Sequence, residues 1–313
     1  MKIVLLESLA VNDEVLQAHV QPLLDEGHSF AAYEKDTDPK VQAGRAKDAD
    51  VIILANMPLS GEVIDACGNL KFIDVAFTGV DHIDLKSAQA RHIAVSNASG
   101  YSNESVAELV IGMTLSLLRN VRQVEARCRA GETKEGFVGS ELKGKKIGVV
   151  GTGAIGKRVA ELFHYFGCEI MAYDTVKTDI PYITYLSLEE VLKNSDIVTL
   201  HCPLTKGTKG LINVERLALM KQGAYLINAA RGPIVDSDAL ADALNEGKLS
   251  GAGVDVFETE PPLDTKHPLL QAKNCLVTPH IAFASQESMV LRAEIVFRNL
   301  REWMKGNQIN KIL

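Results

Sequence analysis

A chain of 313 residues, 46% of them hydrophobic, is long enough to build two domains that each bury a core. Its formal charge of −7 disfavours nonspecific nucleic-acid binding, and no apolar run reaches the length needed to span a bilayer. The five cysteines are odd in number and lack paired spacing, which argues for reduced thiols and against a disulfide framework or a metal site.

The start, Met1-Lys2-Ile3-Val4-Leu5-Leu6, reads as a first strand rather than a cleavable signal, so a cytoplasmic protein is expected. Further apolar strands are expected at residues 51–55, 72–76 and 94–95, with helices at 12–24 and 61–67 between them. A long helix is expected over 105–129. A second series of strands opens at Ile147 and continues through 169–173, 197–200, 224–227, 252–256 and 275–278. Another long helix, 285–305, closes the chain.

The stretch from Lys146 to Gly156 drives an apolar strand into Gly151-Thr152-Gly153-Ala154-Ile155-Gly156 and then into a helix over 154–166. Ile155, Val159, Leu162, Phe163 and Phe166 share one face of that helix, and Gly167 stops it. A strand follows and ends on Asp174, which lies 18 residues past Gly156. That order fits a dinucleotide site. Gly151 makes the tight turn, Gly153 admits a pyrophosphate to the backbone, and Gly156 lets helix and strand pack closely. Ala154 and Ile155 open the helix whose N-terminus would face the phosphates. Asp174 would accept bonds from ribose hydroxyls and repel a 2′-phosphate, favouring NAD over NADP.

Alternating strands and helices imply parallel sheets. The expected fold is α/β, with two doubly wound parallel-sheet domains. A Rossmann cofactor domain (99–285) would be inserted in a smaller, flavodoxin-like substrate domain (1–98 and 286–313), with a cleft between them.

Three segments carry a family resemblance. They are Ile227-Asn228-Ala229-Ala230-Arg231-Gly232, the run Asp255-Val256-Phe257-Glu258-Thr259-Glu260-Pro261-Pro262, and Thr278-Pro279-His280-Ile281-Ala282. With Thr78-Gly79-Val80-Asp81 and Ser105-Val106-Ala107-Glu108-Leu109, they resemble the D-isomer-specific 2-hydroxyacid dehydrogenases over nearly the whole length. The resemblance implies NAD as cofactor and a homodimer, plausible through the Val110, Met113, Leu117 and Val121 stripe, although that stripe could equally face its own domain.

Reducing a 2-oxo acid requires a hydride, a proton and a cation for the carboxylate. Arg231 lies just past a strand end, where open parallel sheets place ligands, and its guanidinium can hold a carboxylate through two parallel bonds. Read alone, it could also be a surface arginine paired with Asp236. His280 is the natural proton donor, and Glu260 its partner, fixing the tautomer and favouring the imidazolium. Alternatives are a structural histidine at a strand end and a loop acid before two prolines. His164, His201 and His267 are read as structural.

By resemblance, Asp255 would bond the nicotinamide carboxamide, though it could also be a cap or turn residue. Pro203, in His201-Cys202-Pro203, would border the adenine. Gly79 and Val80 would meet the substrate carboxylate through main-chain N–H groups, unless Gly79 is an ordinary loop glycine.

Three departures from the family pattern narrow the reading. Ala154 stands where an arginine is frequent, and residues 130–136 lack a tryptophan often found there. Leu54-Ala55-Asn56-Met57-Pro58-Leu59 holds no cation where phosphoglycerate-oxidising relatives carry an arginine. A phosphate would want one, so an unphosphorylated substrate of the hydroxypyruvate or glyoxylate type is favoured. The alternatives are a phosphoglycerate dehydrogenase and, from another class, a noncatalytic NAD(H)-sensing protein like the corepressors that share this fold.

Overall fold

The computed structural model describes residues 1–259 and 262–313. In chain order the strands are β1 (Lys2–Leu5), β2 (Ser29–Ala32), β3 (Val51–Leu54), β4 (Phe72–Val75), β5 (Ala94–Asn97), β6 (Lys146–Val150), β7 (Glu169–Tyr173), β8 (Ile183–Tyr185), β9 (Ile197–Leu200), β10 (Ala224–Asn228), β11 (Leu249–Val254) and β12 (Cys275–Val277). The helices are α1 (Asp13–Asp25), α2 (Pro39–Ala46), α3 (Gly61–Ala66), α4 (Leu85–Ala90), α5 (Asn103–Leu118), α6 (Val121–Arg129), α7 (Ala154–Tyr165), α8 (Leu188–Asn194), α9 (Val214–Leu219), α10 (Ser237–Asn245), α11 (Pro268–Gln271) and α12 (Gln286–Met304).

The chain forms two compact units, Met1–Ser102 with Ala284–Leu313, and Asn103–Phe283. In the first unit the strands run parallel in the order β2-β1-β3-β4-β5. Every residue of β3 and β4 is buried, the continuous apolar signature of a sheet covered on both faces. The helix α1 begins where Asn12 Oδ1 accepts the Val15 N–H at 2.9 Å. The last helix, α12, starts from a Ser285–Ser288 capping box and packs into this unit. Phe297 stacks on His19 at 4.9 Å, and Trp303 on Phe72 at 4.7 Å.

The second unit holds seven parallel strands in the order β12-β11-β10-β9-β6-β7-β8. Phe163 of α7 is fully buried among Val149, Val159 and Ile170. Together the sheets make the α/β, doubly wound, all-parallel architecture expected from the alternating pattern.

Three features differ from the sequence reading. Edge strands β2 and β8 were not anticipated, because Ser29, Ala32 and Thr184 are exposed and break the apolar run. The helix expected over 105–129 breaks at Asn120, which takes a left-handed conformation (φ 52°, ψ 36°) and separates α5 from α6. Val110, Met113 and Leu117 are buried in the core of their own unit, and only Val121 of that stripe is exposed.

Candidate active site

Arg231, Asp255 and His280 follow β10, β11 and β12, three neighbouring strands, so chain segments far apart in sequence emerge at one carboxyl edge. Asn228, almost fully buried, shapes the first segment. Its Nδ2 donates to the Arg231 carbonyl at 3.0 Å, and its Oδ1 accepts the Ala230 N–H at 3.1 Å. Arg231 is half-buried, and its Nη1 donates to the Ala230 carbonyl at 2.8 Å. Asp236 is engaged as the N-cap of α10, accepting the Ala239 N–H at 3.1 Å. Next to Arg231, Gly232 presses on the second segment: a Cβ there would lie 1.9 Å from the Phe257 carbonyl carbon.

Asp255 is fully buried and ties the second segment to the third. Its Oδ1 accepts from Thr278 Oγ1 at 2.5 Å and Ile281 N–H at 2.9 Å, and its Oδ2 from Ala282 N–H at 2.9 Å. Its main-chain carbonyl accepts the His280 N–H at 2.8 Å. Burial raises the Asp255 pKa in spite of those bonds and the nearby His280. His280 itself sits at φ 57°, a conformation costly for a residue with a Cβ. These bonds hold it there, with its ring edge-on to Phe283 at 5.4 Å. Glu260 lies outside the described residues. Two positions before it, Glu258 accepts from Ser237 Oγ and lies 3.1 Å from His267 Nε2.

At the other half of the same sheet, Gly151 turns sharply with φ 94°, and a Cβ there would meet the Cys202 nitrogen at 2.6 Å. A Cβ on Gly156 would fall 1.9 Å from the Gly151 carbonyl oxygen. Gly153 by contrast is exposed, with open space where its Cβ would be, and it caps α7 without a side-chain bond. The N–H groups of Ala154, Ile155 and Gly156 thus begin a helix open to an anion. Asp174, at the end of β7, accepts from Thr152 N–H at 2.5 Å, Thr152 Oγ1 at 3.1 Å and Val176 N–H at 3.0 Å. Burial works to raise its pKa, but these bonds outweigh it and hold the carboxyl below its ordinary value, hence ionised. Tyr185 of β8 donates to Thr152 Oγ1 at 2.9 Å, bracing the loop. Pro203 is exposed, its carbonyl accepting from Thr208 Oγ1 at 2.6 Å. An open glycine, uncapped helix donors and an ionised acid at the neighbouring strand end fit a dinucleotide.

In the first unit, Gly79 and Val80 lie in the turn after β4 and are half-buried. Asn97 Nδ2 donates to the preceding Thr78 carbonyl at 2.6 Å. The loop after β3 contains the cation-free segment, yet Lys35, from the end of β2, brings its Nζ to 3.1 Å from Asn56 Oδ1.

Residues 111–282 match the family model described as the NAD-binding domain of D-isomer specific 2-hydroxyacid dehydrogenases. A glyoxylate reductase of Thermofilum pendens is 43% identical over 84% of this chain and 80% of its own length. A hydroxypyruvate reductase of Blautia hydrogenotrophica is 34% identical, over 100% of this chain and 99% of its own. The chain belongs to the D-isomer-specific 2-hydroxyacid dehydrogenases. A solved D-lactate dehydrogenase of Aquifex aeolicus, with NAD and lactic acid, superposes on it with a TM-score of 0.87 at 34% identity, covering 98% of this chain and 96% of that one.

This dehydrogenase is therefore an NAD-dependent oxidoreductase acting on 2-hydroxy acids. What sequence reasoning missed in it are supports: Asn228, Thr278, Thr152 and Tyr185. Asn228 and Thr278 stand inside quoted motifs, and a polar residue at a strand end beside a charged one is a usable signal. Tyr185 lay on an unrecognised strand and gave none. Among the described residues no helix is long and apolar enough to cross a membrane.

Proposed function

We propose that this dehydrogenase interconverts a short unphosphorylated 2-oxo acid, of the hydroxypyruvate or glyoxylate type, with its D-2-hydroxy acid. The observation that carries the reading is the emergence of Arg231, the Asp255-held segment and His280 from three adjacent strands at one sheet edge. Bound NADH supplies the hydride. Gly151, Gly153, Ala154, Ile155, Gly156 and Asp174 hold its phosphates and ribose, and Pro203 borders its adenine.

Arg231 grips the substrate carboxylate with two parallel charge-assisted bonds and polarises the adjacent carbonyl. In the first unit, the turn at Gly79 and Val80 offers main-chain N–H groups to a substrate carboxylate. His280 donates the proton to the carbonyl oxygen in reduction and recovers it in oxidation, with Glu260 as its acidic partner. Asp255, named by resemblance as a contact to the carboxamide, also keeps His280 in its left-handed conformation. Five free thiols suit a reducing compartment, and α6, whose residues are all at least partly exposed, suits a homodimer contact.

The test is NADH oxidation by the purified chain with hydroxypyruvate, glyoxylate and 3-phosphohydroxypyruvate. The expected order places the phosphorylated acid last by at least about tenfold in kcat/KM, a difference of about 1.4 kcal/mol. A preference for the phosphorylated acid would overturn the substrate reading. NADH binding without turnover of any 2-oxo acid would favour the corepressor-like alternative.

A further inference from the structure

In an open parallel sheet, ligands bind beyond the carboxyl ends of the strands. In the first unit that edge carries Glu7 past β1, Lys35 past β2, Asn56 past β3, and Gly79 with Val80 past β4. Glu7 is nearly buried, at 7% exposure, although it is a carboxylate on a loop. Its Oε2 accepts the main-chain N–H groups of Ala55 at 3.0 Å and Met57 at 2.9 Å. Its Oε1 lies 2.9 Å from Lys35 Nζ, which also donates to Asn56 Oδ1 at 3.1 Å. Arg292, buried on α12, adds a second positive charge within electrostatic reach of Glu7, and its Nη2 donates to the Leu9 carbonyl at 2.6 Å.

Two loop N–H groups and a lysine ammonium are the donor set of a phosphate site. Here all three are turned onto a carboxylate that the protein itself supplies. We propose that Glu7 is a specificity-determining residue: as an internal anion it occupies the two loop N–H groups and the lysine that a substrate phosphate would need, and so disfavours phosphorylated 2-oxo acids. The inference rests on the substrate reading above and supplies its physical cause. Absence of a cation in residues 54–59 is then half of the explanation. The cation exists, arriving from β2, and Glu7 has already claimed it. If Glu7 were merely a staple for the 55–57 loop, removing its charge would affect all substrates alike.

The full chain is compared with Glu7→Gln, which keeps an acceptor for the loop N–H groups but removes the charge, and with Lys35→Met. Two readouts are taken: the ratio of kcat/KM for 3-phosphohydroxypyruvate to that for hydroxypyruvate, and the affinity for inorganic phosphate by calorimetry. Glu7→Gln is expected to raise the ratio and tighten phosphate binding, each by about tenfold or more, and Lys35→Met to lower the ratio. A ratio within about twofold of wild type in Glu7→Gln, with unchanged phosphate affinity, overturns the proposal. If Glu7→Gln does not fold, an unchanged ratio in the half-exposed Lys35→Met does so. A wild-type chain inactive on hydroxypyruvate defeats the substrate reading instead, while the phosphate titration still judges Glu7.

Discussion

The spatial tolerance of the candidate site is set at Gly232. Its missing Cβ lets the Arg231 turn lie against the Phe257–Glu258 backbone, with atoms at 1.9, 2.0 and 2.5 Å from where that carbon would be. Backbone cannot rotate away as a side chain can, so Gly232→Ala must push the two segments apart. A displacement of about 1 Å at a reacting group costs on the order of a hundredfold in rate. Gly232→Ala is therefore expected to lower kcat/KM for hydroxypyruvate by about a hundredfold while NADH affinity stays within a few fold, because the Gly151–Gly156 loop follows a different strand. Steady-state kinetics with an NADH fluorescence titration checks this, and a variant with near wild-type turnover would show that the close approach is not needed. Asp255 works at the same scale, converting a buried charge into three directed bonds that fix a neighbour's backbone.

Among the elements, the break between α5 and α6 depends on one residue adopting a left-handed conformation. Asparagine tolerates that region better than most residues, glycine better still, and a β-branched residue poorly. Asn120→Gly should leave stability unchanged or raise it by up to about 1 kcal/mol, whereas Asn120→Val should cost about 1–2 kcal/mol, both read from denaturant midpoints. The reverse order would mean that the break is not imposed at Asn120. This break was invisible in the sequence because Val110, Met113, Leu117 and Val121 carry the helical period straight across it. Mainly apolar strands buried along their whole length, such as β3 and β9, were legible, whereas half-exposed edge strands β2 and β8 were not. Arg231, Asp255 and His280 could be placed because each follows a mainly apolar strand closely. The Glu7–Lys35–Asn56 cluster could not. Its members sit on three loops that meet only because the sheet order sets β1 between β2 and β3, and recognising β2 was a precondition for seeing it.

At the scale of the molecule, the first unit is assembled from two distant stretches of chain, and a polar network in its core joins them. Asn299 of α12 donates to Asp74 Oδ1 on β4 at 3.0 Å and to the Asn97 carbonyl on β5 at 2.9 Å. Asn310 donates to Asn299 Oδ1 at 2.8 Å, and Lys311 bridges Ser96 in the antiparallel sense. Asp74 is fully buried, with no hydrogen-bond partner on its second carboxyl oxygen, and loss of hydration drives its pKa well above the ordinary carboxyl range. It is therefore a neutral acid in the fold across a range where the unfolded chain has already ionised. The folded state then binds more protons than the unfolded one. This contribution to stability is complete below the unfolded carboxyl range and is lost as pH rises toward the folded value, by up to about 1.4 kcal/mol per pH unit. Asp74→Asn keeps an oxygen for Asn299 and removes the titration. Its stability relative to wild type should climb as pH is raised above the ordinary carboxyl range, since only wild type is losing proton-linked stability there. Trp303, stacked on Phe72 next to this network in sequence and sheet, reports unfolding of the same unit by fluorescence. A difference between the two proteins that stays constant with pH would mean that Asp74 ionises like an exposed carboxyl, and that the two stretches are held by apolar packing of α12 alone.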